Sequence, residues 1–547
     1  MSLPGMVALQ KTRFSAKKLQ TIFVTACFVL ASLACSQGYI SPVELTATAK
    51  AQGKVTTPLA PLVTTAAPTA TQPTATPAMT STQTTIPTFT DVPLNSATPG
   101  PTPTLDPLAT PKPPIQYYTQ SGDTLPSILG RFGVSAGQIT YSQSVPETGL
   151  INPGILLIIP NVLNDVFDSI AVIPDSEVVF SPTAVDFDLT AFVNQAGGFL
   201  STYKEELSSG PTPGADIIKR VCLENSINPR LLLALLEYKS HWVYGQPANL
   251  AETVYPMGHI KLEQKGLYRQ LSWAVSQLSI GYYGWRAGIL STLPFSDGTV
   301  LHISPGLNAG SAGLQYLFAQ LYNKADWVSA LYGIESFPIL MEKMYGNPFV
   351  RAASIEPLYS PELTQPKLEL PFVPGRVWAF TGGPHSAWGP DGALAALDFA
   401  PPSSHPGCVD NPEWVVAMAP GVIVRAENGA VIQDLDNDGL ENTGWNIFYM
   451  HIATKDRIAV GTRVETGDPI GHASCEGGVS SGTHTHVARK YNGEWILADG
   501  PMPFNMSGYI AHNGYKIYEG TMTKGDTIVT RDENGGVDSH ISIPKPK

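Results

Sequence analysis

The spacing of apolar positions changes character along the chain. Ile217, Ile218, Val221 and Cys222 recur at helical intervals. Asn228 and Pro229 then open a second helix whose body, Leu231 to Leu236, is continuously apolar. The pattern predicts a mainly helical domain over 187–359. From 374 to 517 the period shortens: WVVAMAPGVIVRAENGAVIQDL, WNIFYMHIA and HTHVARKYNGEWIL are short apolar or alternating runs bounded by turn residues. These predict an antiparallel sheet, followed by a C-terminal extension over 518–547 with a further β element and a basic tail. A smaller unit spans 115–163. A strand at Tyr117 to Thr119 leads to Asp123 as N-cap, Leu125, Ile128 and Phe132 fall on one helical face, Ser135 caps a second short helix, and Ile155 to Ile159 is an aliphatic strand. The predicted order is β-α-α-β. Upstream, 35–114 is dominated by Thr, Pro and Ala, a composition that favours an extended, disordered stalk.

Residues 1–34 combine Lys11, Arg13, Lys17 and Lys18 with the apolar run Thr21 to Ala34, which reads as a signal peptide. The run is short for a membrane span, which needs about 20 apolar residues. An extracellular or cell-envelope location follows. Ser32-Leu33-Ala34-Cys35 resembles a lipoprotein processing site with the leucine one position too near the cysteine, so Cys35 is a candidate lipid anchor; Ser32 and Ala34 equally suit ordinary signal cleavage. Membrane contact is expected only through the signal or such an anchor. The length of 547 residues suits about three folded units. A net charge of -12 argues against nucleic acid as a partner. Among five cysteines, Cys408 and Cys475 share the last domain and form a plausible disulfide in an oxidising exterior. A four-cysteine zinc site is excluded.

The last domain holds the chemistry. His484 and His486 are two residues apart, so in a strand both imidazoles face one side. His385 follows Gly382-Gly383-Pro384, expected as a turn, and His451 lies in YMHIA. Asp398 follows the apolar run ALAAL, where an isolated buried charge is costly and a cation would explain it. Imidazole and carboxylate are zinc ligands, and catalytic sites usually use three of them. Spacing alone does not choose between His484 and His486. His405, His472 and His512 are weaker candidates.

These residues carry a resemblance to the β-lytic, LasA-like branch of zinc endopeptidases related to lysostaphin and LytM. The matching motifs are GPHSxW…ALDF with His385-x12-Asp398, YMHIA, GxxVxxGDxIGHxSCEGGxxxGTHTH and ARKYNGEWIxADGPMPF. The resemblance implies that His385, Asp398 and His486 hold one Zn2+, and that His451 and His484 act beside it on water and oxyanion. It also implies peptidoglycan peptides as substrate. YTxSGDTL, FGVS and INPGxxLxIP resemble a LysM module, which implies binding to wall glycan. SINPRLLLALLEYKSHW resembles the catalytic helix of lysozyme-like transglycosylases, but Lys239 stands where the general acid is expected and Glu237 lies two residues earlier. That implies a degenerate lysozyme-like domain, with Trp242, Trp273, Tyr282, Tyr283 and Trp285 as glycan platforms if exposed, or as core if not. Asp434, Asp436, Asp438 and Gly439 resemble the first half of an EF-hand loop, a candidate Ca2+ site, with Trp445 where a bidentate acid is required.

The expectation is therefore an exported zinc endopeptidase that cleaves peptide crosslinks of peptidoglycan and is targeted by LysM. The alternatives are a non-catalytic wall-binding regulator of cell-wall hydrolases and a bifunctional glycosidase-peptidase.

Overall fold

The computed structural model describes residues 112–360 and 362–545. The expected signal peptide, Cys35 and the stalk up to residue 111 lie outside the described residues. Among the described residues, no helix is long and apolar enough to cross a membrane.

The first unit has strands β1 (Ile115–Tyr118), β2 (Thr140–Tyr141) and β3 (Leu156–Ile159) around helix α1 (Leu125–Phe132), with β3 central. Ile128, Phe132, Leu157 and Ile159 fill its core. The cap differs from expectation. Thr124, not Asp123, accepts from the Ser127 amide. Asp123 is buried instead, accepting from Tyr117 Oη at 2.6 Å and pairing with Arg131 at 2.6 Å. Its carboxylate satisfies interior donors, a stronger use than an exposed cap. The second expected helix is one 3-10 turn, Ala136–Gln138.

Four longer helices organise the middle region: α2 (Gly214–Asn225), α3 (Pro229–Ser240), α4 (Leu267–Ala287) and α5 (Ala309–Leu321). Asn228 caps α3 as expected, accepting from the Arg230 amide. Trp242, Tyr282, Tyr283 and Trp285 are buried, so they are core and not glycan platforms. Trp273 stacks flat on His259.

The last region is a nine-stranded antiparallel sheet. Its strands are β4 (Val377–Ser386), β5 (Leu394–Ala400), β6 (Gly421–Glu427), β7 (Ala430–Asp434), β8 (Trp445–Met450), β9 (Arg463–Val464), β10 (Thr485–Tyr491), β11 (Glu494–Trp495) and β12 (His540–Ser542). The order is β9-β6-β7-β8-β10-β5-β4-β12, with β11 on β10. Ile541 in β12 lies opposite Trp378, so the segment beyond 517 closes the sheet edge and is not a separate tail. GGPH is no turn: it lies within β4, where register shifts absorb it.

Strand alternation gives the sheet two apolar faces. Leu397, Val431, Ile447, Tyr449 and Val487 pack into the region's own core. Their neighbours Ala396, Ile432, Phe448 and Ala488, with Trp495, belong to one core shared with the helical region. The helices therefore cover the second face.

Lys490 also points to that second face, two positions beyond Ala488. It is fully buried, and its Nζ has no hydrogen-bond partner. Burial lowers its pKa to about 8, against a raising influence from Glu441. The unfolded lysine titrates near 10.4, so the unfolded chain binds more protons between the two values and stability rises with pH there. Below about 8 the burial cost is fully present. Lys490→Met is expected to stabilise the fold at pH 7 by about 1–3 kcal/mol. Chemical denaturation should show that gain shrinking as pH rises toward 10.

Candidate metal centre

Three adjacent strands bring the site together. His486 in β10 lies opposite both Asp398 in β5 and Met450 at the end of β8. His385 comes from β4, the next strand over. A Cβ at Gly382 would sit 2.3 Å from Asp398 Oδ2. The glycine therefore lets the carboxylate lie against β4.

His385, Asp398 and His486 are only 2%, 7% and 6% exposed. His385 Nε2 and His486 Nδ1 each approach Asp398 Oδ1 at 3.3 Å and lie 3.0 Å apart. Their outer nitrogens face backbone carbonyls: His385 Nδ1 meets Gly383 O at 2.8 Å, and His486 Nε2 meets Ala387 O at 3.1 Å. A ring nitrogen facing a carbonyl carries the proton, so each inner nitrogen presents a lone pair. Asp398 Oδ1 is buried without a hydrogen-bond partner. Two imidazole lone pairs and a carboxylate oxygen thus converge, which fits a cation. Each offers a ligand atom within 4.8 Å of the others.

The charges respond accordingly. Burial opposes ionisation of Asp398, but the charges of the neighbouring His385 and His484 hold it well below the usual carboxylate range. Burial would lower His385, yet Asp398 raises it on balance. His486 is lowered, chiefly by burial.

His451 and His484 stand beside the trio. Their rings are 4.4 Å apart, and His484 Nε2 is 3.7 Å from Asp398 Oδ1. Backbone carbonyls orient both: Glu476 O for His451 and Gly482 O for His484. Burial, followed by His484 and His486, lowers His451 to about 3, so it is neutral at physiological pH. His451 has φ 62°, an uncommon left-handed conformation that turns its ring toward the site.

Cys408 and Cys475 form the expected disulfide, closing a separation of 67 residues. It ties the 401–412 segment to the turn whose Glu476 carbonyl holds His451. Replacing both cysteines with serine is expected to cost about 2–4 kcal/mol of stability. Activity should fall further than zinc content, as assays paired with elemental analysis would show.

Tyr518 joins the site without any mark in the local sequence. Its ring stacks on His385 with centroids 4.2 Å apart, and burial, then Asp398, raises its pKa. It reaches the site from the turn before Gly520, whose carbonyl and nitrogen atoms crowd Gly383. No motif marks such a contact.

The weaker histidines lie elsewhere. His472 packs on Trp414, His512 bonds Thr523, and His405 is exposed. Asp434, Asp436 and Asp438 do converge. Their carboxylates, however, accept backbone amides of Asp436, Gly439, Asp438 and Leu440 within the same loop. Loop closure accounts for them without calcium. In the helical region, Glu237 Oε2 accepts from the Val243 and Tyr244 amides, and Lys239 Nζ bonds Tyr322 Oη. Neither group is free to serve as a glycosidic acid.

Buried His-Asp-His donors flanked by two further histidines form a candidate cation site. Several known proteins similar to this chain are peptidases. The family model described as LasA, N-terminal domain matches residues 171–357, the helical region expected at 187–359. Protease LasA of Pseudomonas aeruginosa (strain UCBPP-PA14) is 25% identical over 282 residues, covering 50% of this chain and 65% of LasA. The chain thus spans just under two thirds of that relative. Beta-lytic metalloendopeptidase of Lysobacter enzymogenes is 26% identical over 144 residues, covering 26% of this chain and 77% of that protein. A solved structure, the M23 metalloprotease pseudoalterin from deep-sea, is 24% identical with a TM-score of 0.26, covering 31% of this chain and 96% of its own.

Proposed function

We propose that this protein is an exported zinc endopeptidase that hydrolyses peptide crosslinks of peptidoglycan. The observation that carries this reading is the unpartnered Asp398 Oδ1 facing two imidazole lone pairs. His385, Asp398 and His486 would hold the zinc. A zinc ion there supplies Lewis-acid polarisation of a scissile carbonyl and activation of a water nucleophile. Neutral His451 accepts and orients a proton of the attacking water. His484, beside Asp398, would stabilise the oxyanion. Tyr518 offers a phenol at the outer rim.

All five residues of the resembled site are present, which favours catalysis over a regulator that has lost its ligands. The bonded states of Glu237 and Lys239 argue against a second, glycosidic activity. The LysM resemblance of 115–163 supports retention on wall glycan, which raises local substrate concentration. Secretion or lipid anchoring through Cys35 completes the reading.

Muropeptide analysis tests it. Walls digested by the zinc-loaded full chain should gain free termini in stem or bridge peptides with intact glycan strands, and His486→Ala should leave walls unchanged. Cut glycan, or no new termini at full zinc occupancy, would reject the proposal.

A further inference from the structure

His451, the proton acceptor of the proposed reaction, has a backbone that a histidine does not adopt freely. It follows directly on β8 with φ 62°, a left-handed conformation that persists only where the surroundings over-determine it. Ser474 supplies part of that hold, donating to the His451 carbonyl from its amide at 2.7 Å and from its hydroxyl at 2.9 Å. The ring is held separately. Its Nδ1 meets Glu476 O at 2.9 Å, so Nδ1 carries the proton and Nε2 keeps the lone pair that a proton acceptor needs. The tautomer therefore depends on where one backbone carbonyl stands.

That carbonyl survives every substitution, but two side chains outside the reacting set fix its position relative to His451. Arg457 donates to the carbonyls of Ile452 and Ala453, the residues that follow His451, at 2.7 and 3.2 Å. The same guanidinium reaches Glu476 Oε2 at 2.8 Å. The Glu476 carboxylate also accepts from the Thr454 amide at 2.8 Å and from the Thr454 hydroxyl at 2.5 Å. One ion pair thus fastens the chain leaving His451 to the residue whose carbonyl orients its ring. The disulfide acts elsewhere, tying the turn at Cys475 to Cys408 and not to the 452–457 segment. The Arg457 side chain is 9% exposed and that of Glu476 is 41% exposed. A pair so open to water contributes little to stability. Its convergent bonds serve orientation instead.

We propose that Arg457 and Glu476 are positioning residues for His451, which together fix its tautomer and the direction of Nε2. The proposal rests on the peptidase reading above. Neither side chain belongs to the converging trio, so zinc binding is independent of both.

The test measures kcat, KM and zinc content of the zinc-loaded full chain on a soluble crosslinked muropeptide, with released monomers counted by chromatography. Arg457→Ala should lower kcat by about ten- to a hundredfold, with KM within about twofold and zinc content unchanged. Glu476→Ala, at the more exposed end of the pair, should behave alike. Glu476→Gln keeps an oxygen for Thr454 and Arg457 and should stay within about fivefold of the wild type. The deciding comparison is the double variant. Added to His451→Ala, Arg457→Ala should cost less than about twofold, because the ring it positions is gone. Melting temperatures report folding, and if Arg457→Ala unfolds, Glu476→Ala with and without His451→Ala carries the same comparison. A loss of equal size with and without His451 would overturn the proposal. So would wild-type kcat in both Arg457→Ala and Glu476→Ala. No cleavage by the wild type at full zinc occupancy would instead reject the peptidase reading, and the positioning role with it.

Discussion

Asp398→Ala is expected to abolish stoichiometric zinc binding and to lower peptide hydrolysis by about ten-thousand-fold. The carboxylate is the one anionic member of the trio, and both imidazoles converge on its Oδ1 at 3.3 Å. Removing it leaves two neutral donors in a buried pocket, too weak a set to hold a divalent ion against water. His451→Ala should separate binding from chemistry. That ring is oriented by Glu476 O and is absent from the converging trio. Its loss should retain zinc while costing about a hundred- to a thousandfold in rate, the usual range for a positioned proton acceptor. Zinc analysis beside kinetics distinguishes the two variants. Equal zinc loss in both would place His451 among the ligands.

The largest effect on stability is expected at Arg286. Its guanidinium pairs with Asp175 at 2.7 Å and Glu494 at 3.0 Å, and it donates to the Ser121 carbonyl. One side chain thus joins the first unit, the helical region and the sheet. Tyr282 also donates to Glu494, at 2.8 Å. Arg286→Ala leaves two carboxylates buried without their cation, at a cost of about 3–5 kcal/mol. Combining Arg286→Met with Glu494→Gln should recover much of that loss, because the stranded charge goes with its partner. Thermal and denaturant unfolding of the three proteins checks this. If Arg286→Ala melted like the wild type, the junction would not be holding the regions together.

How far the sequence reached depended on whether a feature was local. The convergence of His385, Asp398 and His486 was legible because these residues sit in contiguous motifs, and because a carboxylate after ALAAL is conspicuous wherever the strand lies. Helix α3 was legible from Asn228-Pro229 and the apolar run that follows. Contacts made across the fold were not. Asp123 looked like a cap because the cap pattern is local, but its true partners are Tyr117 and Arg131, a buried pair set by packing. Gly382-Gly383 looked like a turn, yet the glycines serve close approach by Asp398 and by the chain at Glu519. The shared core was hidden for a related reason. Ala396, Phe448 and Ala488 are apolar whether they face the sheet's own interior or the helices, and period alone does not name the partner. Tyr518 reaches His385 only through the closure of distant strands.

The central claim is that two imidazoles and one carboxylate bind zinc in this chain. Zinc K-edge X-ray absorption of the purified full chain tests it most directly. The expected result is one zinc per chain in a shell of nitrogen and oxygen at about 2.0–2.1 Å, including imidazole scattering and no sulfur. A sulfur shell near 2.3 Å, or a spectrum unchanged in Asp398→Ala, would contradict it.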